Sequence, residues 1–219
     1  MKIFIDTADK SQIEKWIQLI DGVTTNPTIM WKDGISDIEK EIKEIATLIA
    51  PRPVSVEVTT NDLNEMVSQA QIFATWGSNI VVKIPIINAD GIACLDIIKF
   101  LEEKKIKVNV TTIMSFNQII LTAKTGTTYA SIFAGRVADE GNDSNTLISS
   151  AVSWLEKWGY KTEIIVGSIR GTIDVQNAAL SGAHIITIPP QILSKMIDHK
   201  NTRATVNQFV EDARKVGLK

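Results

Sequence analysis

Eight short runs of β-branched residues alternate with segments of helical spacing along the whole chain, and this alternation restricts the possible folds most strongly. The runs are predicted strands, and they cover residues 2–6, 22–26, 53–58, 80–85, 107–113, 129–135, 163–169 and 184–189. The 219 residues allow about 27 for each strand and its helix, and no Pro-, Ser- or Gly-rich linker interrupts the series. Eight regular βα units favour a parallel sheet closed into an α/β barrel of the (β/α)8 TIM type.

A doubly wound open sheet is the alternative fold. It usually has fewer strands at this length, and no Gly-rich phosphate-binding turn follows the strand at 2–6. We therefore predict one barrel domain over residues 1–219, in which 202–219 form an additional C-terminal helix. The apolar residues of that helix would share one side, and they are Val206, Phe209, Val210 and Ala213.

The boundaries of several helices can also be predicted from the sequence. Residues 35–50 have isoleucines at helical spacing on one face and Glu and Lys on the other. Polar residues that follow a predicted strand are candidate N-caps, namely Thr7, Asn61, Asn88 and Ser115.

Composition excludes several classes of protein. The net charge of −2 provides no basic surface for nucleic acid or for an anionic membrane. Cys94 is the single cysteine, so one chain can form neither a disulfide framework nor a cysteine metal site. The sequence has no apolar run of membrane-spanning length, and an acidic residue already stands at position 6. We expect a soluble, cytoplasmic protein.

Polar residues recur at every second position in the predicted strands, mostly toward the C-terminal ends. Residues two apart share a face of a strand, and in a small barrel one face points to the axis. The polar pairs are Thr24 and Asn26, Ser55 and Glu57, Asn109 and Thr111, and Ser168 and Arg170, while in the sixth strand Ser131 shares its face with the apolar Phe133. TIM barrels carry their active sites at this end of the strands. A single inward Thr or Ser is more often packing than function.

Lys83 stands within the apolar run IVVKIP, where it would point inward while Val82 and Ile84 pack outward. A lysine with little solvation favours the neutral amine, which is a nucleophile toward carbonyls. Asp6 closes the first predicted strand and Glu57 lies in the third. One carboxylate could move the protons that iminium formation requires, and the other could take a proton from a hydroxyl of the substrate. The set suggests Schiff-base aldol chemistry. The structural alternatives are a salt bridge between Lys83 and Glu57 and an N-cap role for Asp6.

Arg136 and Arg170 follow the sixth and seventh strands, and Ser168 stands two residues before Arg170. Barrels often bind phosphate near their last loops, and arginine suits that anion. The alternative for either arginine alone is a surface salt bridge. His184 and His199 lie away from the predicted catalytic end, so nothing in the sequence points to a metal.

Seven motifs in chain order resemble the small transaldolase family, which includes the closely similar fructose-6-phosphate aldolases. They are IDTAD (5–9), GVTTNPT (22–28), VSVEV (54–58), VVKIP (81–85), NVTT (109–112), FAGR (133–136) and GSIR (167–170). The resemblance implies transfer of a dihydroxyacetone unit between sugar phosphates in the pentose phosphate pathway, without a metal or organic cofactor.

Roles for individual residues follow from the resemblance. Lys83 matches the Schiff-base lysine, Glu57 the acid/base residue that acts through a water held by Thr111, and Asp6 the base for carbon–carbon cleavage. The residues matching the ligands of the three-carbon unit are Asn26, Asn109 and Ser131. Those matching the phosphate site are Arg136, Ser168 and Arg170.

Three positions favour the transaldolase branch. The aldolase branch carries glutamine where this chain has Glu57 and tyrosine where it has Phe133, and it lacks the asparagine of Asn109. A tyrosine hydroxyl can help to release the three-carbon unit, whereas phenylalanine cannot. Release of free dihydroxyacetone by an aldolase and a non-catalytic sugar-phosphate-binding barrel remain the alternatives. The family also implies a homo-oligomer, a decamer of two pentameric rings in which the C-terminal helix crosses to a neighbour.

Overall fold

A computed structural model describes residues 1–217, and its eight parallel strands form a closed barrel in which each strand pairs with its neighbours in chain order. The strands are β1 (Lys2–Asp6), β2 (Gly22–Thr24), β3 (Val54–Glu57), β4 (Ile80–Pro85), β5 (Val108–Ile113), β6 (Tyr129–Phe133), β7 (Glu163–Gly167) and β8 (Ile185–Ile188). Pairing of β1 with β8 closes the ring. The predicted TIM barrel is confirmed, and the open sheet is excluded.

The helices lie between and after the strands. They are α1 (Lys10–Trp16), α2 (Pro27–Lys32), α3 (Ile38–Ile49), α4 (Leu63–Ala74), α5 (Leu95–Glu103), α6 (Phe116–Lys124), α7 (Ala134–Asp139), α8 (Ser144–Trp158), α9 (Thr172–Leu180), α10 (Pro190–Ile197) and α11 (Lys200–Lys215). The predicted C-terminal helix is present as α11, although it begins two residues earlier than expected. Residues 218 and 219 of the predicted extension lie outside the described part of the chain.

Three of the four predicted N-caps are wrong, because the helices begin farther from the strands than expected. Asp9 caps α1, Asp62 caps α4, and Cys94 precedes α5 without a side-chain cap bond. The N-cap alternative for Asp6 fails for the same reason. Thr7 instead donates its hydroxyl to Asp33, while Asn61 and Asn88 make loop hydrogen bonds. Ser115 does cap α6, in a capping box with Gln118.

Several strands end earlier than predicted. The strand expected at 129–135 ends at Phe133, because the chain enters α7 at Ala134. The strand expected at 163–169 ends at Gly167, since Ser168 has a φ of 61° and leaves the extended conformation. The second strand likewise ends at Thr24, and the following α2 is capped by Asn26.

The two faces of each strand bury different residues, as the period-two pattern predicts. Val82 and Ile84 face outward and belong to the large apolar layer between strands and helices. A smaller apolar cluster fills the axis toward the N-terminal ends of the strands, and it consists of Phe4, Val81, Tyr129, Ile165 and Ile185. Phe4 and Tyr129 meet edge to face, with ring centroids 6.2 Å apart. This apolar floor supports the polar residues above it.

Gly22 at the start of β2 makes room for this floor. A Cβ at that position would lie 2.7 Å from Cε1 of Phe4, which is closer than real Cβ contacts. The absence of a side chain therefore lets Phe4 fill the axis beneath Asp6. No helix within residues 1–217 combines the length and the apolar character that a membrane span requires.

Candidate active site

A cavity of about 600 Å³ opens at the C-terminal ends of the strands. Eight of the predicted site residues line it: Asp6, Asn26, Glu57, Lys83, Ser131, Phe133, Arg136 and Ser168. Residues from β1, β3, β4 and β6 therefore converge on one space, where catalytic groups of TIM barrels lie. The barrel thus brings side chains that are far apart in the sequence together in a single polar pocket.

Lys83 is the central cation of this cavity. Its side chain is 5 % exposed, and Nζ lies 3.1 Å from Oε2 of Glu57. Nζ also donates to the carbonyl oxygen of Thr25 at 2.9 Å. The neighbours of Lys83 in the strand are apolar as predicted, but the nitrogen itself lies against two oxygens. The predicted structural alternative, a salt bridge with Glu57, is thus present, and it occurs inside the cavity.

Asp6 ends β1 on the same wall. Its Oδ1 accepts a hydrogen bond of 2.6 Å from the hydroxyl of Thr24. Burial raises the pKa of the Asp6 carboxyl, while the charge of Lys83 and the hydrogen bond from Thr24 oppose that rise. The carboxylates of Glu57 and Asp33 raise the pKa further. Asp6 is therefore a buried acid beside a cation, which is the environment expected of a proton-transfer group.

A chain of amide and hydroxyl groups lies on the inward face of β3, β5 and β6. Ser131 donates to Oδ1 of Asn109 at 2.7 Å, and Nδ2 of Asn109 donates to the hydroxyl of Ser55 at 3.3 Å. Asn109 is fully buried and does not reach the cavity wall, so only Ser131 of this pair lines it. The Thr111 hydroxyl is also buried, and it has no hydrogen-bond partner among the described protein atoms. These contacts hold Asn109 and Ser131 in fixed orientations.

Asn26 and Phe133 form other parts of the wall. Oδ1 of Asn26 accepts from the backbone N–H of Ile29 at 2.9 Å, so this residue also caps α2. The cap leaves the amide nitrogen of Asn26 as the group able to donate into the cavity. Phe133 ends β6 and presents an apolar ring to the same space.

The predicted phosphate residues are divided between two environments. Arg136 and Ser168 line the cavity, but Arg170 does not. The guanidinium of Arg170 forms a bidentate ion pair with Asp139 on the exposed surface, which matches the structural alternative for this residue. Gly135 permits close packing here, because a Cβ there would lie 2.2 Å from the Ser168 carbonyl oxygen.

Other residues that line the cavity were not predicted as site residues, among them Thr24, Lys32, Asp33, Thr112 and Thr187. Thr187 could have been found, since it stands two residues after the inward-facing Ile185. Thr112 points into the cavity because β5 has an irregularity near its end, where Thr112 adopts a φ of 60°. Lys32 and Asp33 reach the cavity from α2, and no strand pattern identifies them.

The histidines lie elsewhere. Nδ1 of His184 accepts from the backbone N–H of Ile164 before β8 begins, and His199 caps α11. Within residues 1–217, no group of three or more His, Cys, Asp or Glu side chains is arranged to hold a metal ion.

Comparison with protein families decides the identity of the chain. A family model described as transaldolase/fructose-6-phosphate aldolase matches residues 3–219. The chain belongs to this family. It is therefore an enzyme of the transaldolase/fructose-6-phosphate aldolase family, as the sequence motifs predict.

Relatives within the family match over almost their whole length. The chain is similar to proteins named probable transaldolase from Lactiplantibacillus plantarum (44 % identical, 97 % of this chain and 96 % of the relative) and from Thermoanaerobacter (41 % identical, the full length of both). A third, from Dehalococcoides mccartyi, is 39 % identical and covers 99 % of each chain.

More distant structures share the fold of this family member. The chain is similar to the crystal structure of 3-hexulose-6-phosphate synthase from Salmonella typhimurium, with a TM-score of 0.60 and 15 % identity. That likeness covers 86 % of this chain and 89 % of the other. At this identity it supports the barrel alone.

Proposed function

We propose that the protein is a transaldolase, which transfers a dihydroxyacetone unit between sugar phosphates through a Schiff base on Lys83. Its donors would be sedoheptulose 7-phosphate and fructose 6-phosphate, and its acceptors glyceraldehyde 3-phosphate and erythrose 4-phosphate, as in the pentose phosphate pathway. The observation that carries the proposal is the position of Lys83 Nζ, 3.1 Å from Glu57, in a cavity that also contains Asp6.

The first step joins the substrate to the enzyme. Glu57 takes one proton from the Lys83 ammonium group, and the neutral amine then attacks the ketose carbonyl carbon. A second proton passes from the nitrogen to the carbonyl oxygen, which gives the carbinolamine. Glu57 then returns a proton to the carbinol oxygen, which leaves as water and produces the iminium ion. The distance of 3.1 Å between Glu57 Oε2 and Lys83 Nζ supports this role of Glu57 in both transfers. The Thr111 hydroxyl, which has no hydrogen-bond partner within residues 1–217, would hold a water for this relay from behind the cavity wall.

The second step breaks a carbon–carbon bond. Asp6 removes the proton from the hydroxyl on the first carbon beyond the three-carbon unit. The bond that joins this carbon to the three-carbon unit then breaks. An aldehyde leaves, and the electron pair of the bond moves into the iminium, which becomes an enamine. The iminium nitrogen is the electron sink. Condensation of the enamine with a second aldehyde reverses the same steps, with Asp6 returning its proton.

The remaining residues bind the substrate. Asn26 and Ser131 have polar groups at the cavity wall for the hydroxyls of the three-carbon unit, and Asn109 orients Ser131 from behind. Arg136 and Ser168 would bind the phosphate, and their position on the cavity wall supports this role. Arg170 would join them only after leaving Asp139. Phe133 offers no hydroxyl to assist release of the three-carbon unit, which favours transfer over release.

Two assays on the same preparation test this function. The first follows formation of sedoheptulose 7-phosphate from fructose 6-phosphate and erythrose 4-phosphate. The second follows free dihydroxyacetone from fructose 6-phosphate alone. A transaldolase gives fast transfer and slow release. Equal rates would identify an aldolase, and the absence of both products would identify a non-catalytic barrel.

We also propose that the protein acts in the cytoplasm as a homo-oligomer, a decamer or pentamer by family resemblance. The apolar side of α11 supports this, since Val206, Phe209 and Val210 are exposed and no residue of α11 is buried in the single chain. Sedimentation velocity of the intact chain and of Phe209→Asp tests it. A monomeric wild type would overturn the proposal.

A further inference from the structure

We infer that Thr187 is a positioning residue, which orients the Asp6 carboxylate through the hydroxyl of Thr24. The inference extends the proposed function, because it rests on Asp6 as the base for carbon–carbon cleavage. Neither threonine was assigned a role by the family motifs. Both line the cavity and both are buried.

The topology of the barrel brings the two hydroxyls together. β1 lies between β2 and β8, so it has Thr24 on one side and Thr187 on the other. Asp6 is the pairing partner of Thr24, and Phe4 is the pairing partner of Thr187. All four residues face the axis, and the Thr24 and Thr187 hydroxyls hydrogen-bond to each other across the inward face of β1. The contact exists only because the barrel closes.

The chemistry of the groups gives this chain of hydrogen bonds a direction. An ionised carboxylate can only accept, and a hydroxyl has one hydrogen to donate. Thr24 donates its hydrogen to Oδ1 of Asp6 at 2.6 Å. In its contact with Thr187, the Thr24 oxygen must therefore accept, and Thr187 must donate. Thr187 has no other hydrogen-bond partner within residues 1–217, so its hydrogen is committed to Thr24.

The hydrogen bonds among Asp6, Thr24 and Thr187 can also rearrange when Asp6 becomes protonated. When the proton resides on Oδ1 of Asp6, that oxygen becomes the donor to the Thr24 oxygen, and Thr24 can turn its own hydrogen toward the Thr187 oxygen. Both protonation states thus keep the carboxyl tied to β2 and β8. A valine at either position would remove this second arrangement, because it can neither donate nor accept.

Charged groups from several elements also act on Asp6. Lys83 faces it from β4, Glu57 from β3 and Asp33 from the end of α2, while Lys32 and Arg136 line other parts of the cavity. The hydrogen bond from Thr24 lowers the pKa of Asp6 against the effect of burial. Loss of the Thr187 donor weakens that bond, so it raises the pKa of Asp6 further.

The test compares wild type with Thr187→Val, Thr187→Ala and Thr187→Ser, all as full-length proteins checked by circular dichroism. Two quantities are measured: the pH dependence of kcat for transfer, and the ¹³C NMR titration of the Asp6 carboxyl. Thr187→Val, which is similar in size but lacks the hydroxyl, should lower kcat about 2- to 10-fold. Thr187→Val should also move the acidic limb of the pH profile of kcat and the midpoint of the Asp6 titration to higher pH by the same amount. Thr187→Ser restores the hydroxyl and should bring both back toward wild type.

The variants without a hydroxyl decide the outcome. Thr187→Ala replaces Thr187→Val if the latter does not fold. An Asp6 titration that is the same in wild type and in the folded hydroxyl-free variant would overturn the inference, whatever reaction the protein catalyses. A shifted titration without transfer activity in wild type would instead support the hydrogen-bond chain and contradict the proposed function.

Discussion

Lys83 and Glu57 are direct partners in the pairing of β3 with β4, and their side chains meet at 3.1 Å between Nζ and Oε2. Neighbouring parallel strands place paired residues on the same side of the sheet, so the register of two strands alone creates this contact. The contact lies in the cavity rather than on the surface. An acid and an amine are therefore held together where a substrate carbonyl can reach both.

This contact predicts the effect of changing Glu57. Glu57→Gln keeps the size of the side chain but removes the base, so kcat for transfer should fall about 10²- to 10⁴-fold. The KM for fructose 6-phosphate should change little, since Glu57 is assigned no substrate-binding role. Steady-state kinetics with both donors measures the effect. A variant as active as wild type would remove Glu57 from the mechanism.

The burial of the Asp6 carboxyl predicts how kcat for transfer depends on pH. Burial raises the pKa of this carboxyl above the ordinary 3.8. A base must be ionised, so kcat should rise with pH along a limb that lies above the range of an exposed aspartate. Asp6→Asn should lose transfer activity, with a fall of about 10²- to 10⁴-fold.

The same shift has a consequence for stability. Between pH 3.8 and the raised pKa of Asp6, the native state binds more protons than the unfolded state. The contribution of Asp6 to stability must therefore fall as pH rises through that window. Urea unfolding of wild type and Asp6→Asn at several pH values measures this difference. The free energy of unfolding of wild type minus that of Asp6→Asn should fall as pH rises through the window, and a difference that stays constant or increases would contradict the raised pKa.

Arg136 and Arg170 are predicted to differ as phosphate ligands. Arg136→Ala should raise the KM for fructose 6-phosphate about 10- to 100-fold, because a hydrogen bond to a charged group contributes about 1.5–3 kcal/mol. Arg170→Ala should raise it less, since Arg170 is already paired with Asp139 outside the cavity wall. Unphosphorylated fructose serves as the control substrate. The reverse order of KM values would mean that Arg170 is the principal ligand.

The residue at position 133 is expected to influence whether the three-carbon unit is transferred to an acceptor or released as free dihydroxyacetone. Phe133→Tyr adds a hydroxyl at the cavity wall, where it can assist protonation of the three-carbon unit. The ratio of dihydroxyacetone release to transfer should therefore rise severalfold, with the fold unchanged. An unchanged ratio in the folded variant would show that this position does not separate the two activities.

Sequence patterns predicted the barrel and several residues that line its cavity, because the strands and their inward positions both follow from strand periodicity. Lys83, Glu57, Asp6 and Ser131 all lie on inward strand faces, where period two places them. Residues in loops and helix ends were harder to predict. Asp33 reaches the cavity from the end of α2 by bonding Thr7, and Thr112 turns inward at an irregularity in β5. Arg170 was predicted to bind phosphate because it stands near Ser168 after the seventh strand. The sequence does not show that Asp139 forms an ion pair with it.

The central claim is that Lys83 carries the sugar, and reductive trapping tests it directly. The protein is incubated with fructose 6-phosphate and sodium borohydride, digested, and analysed by mass spectrometry. The account predicts a reduced three-carbon adduct on the peptide that contains Lys83, and none in Lys83→Met. An adduct on a different lysine, or no adduct in an active preparation, would contradict it.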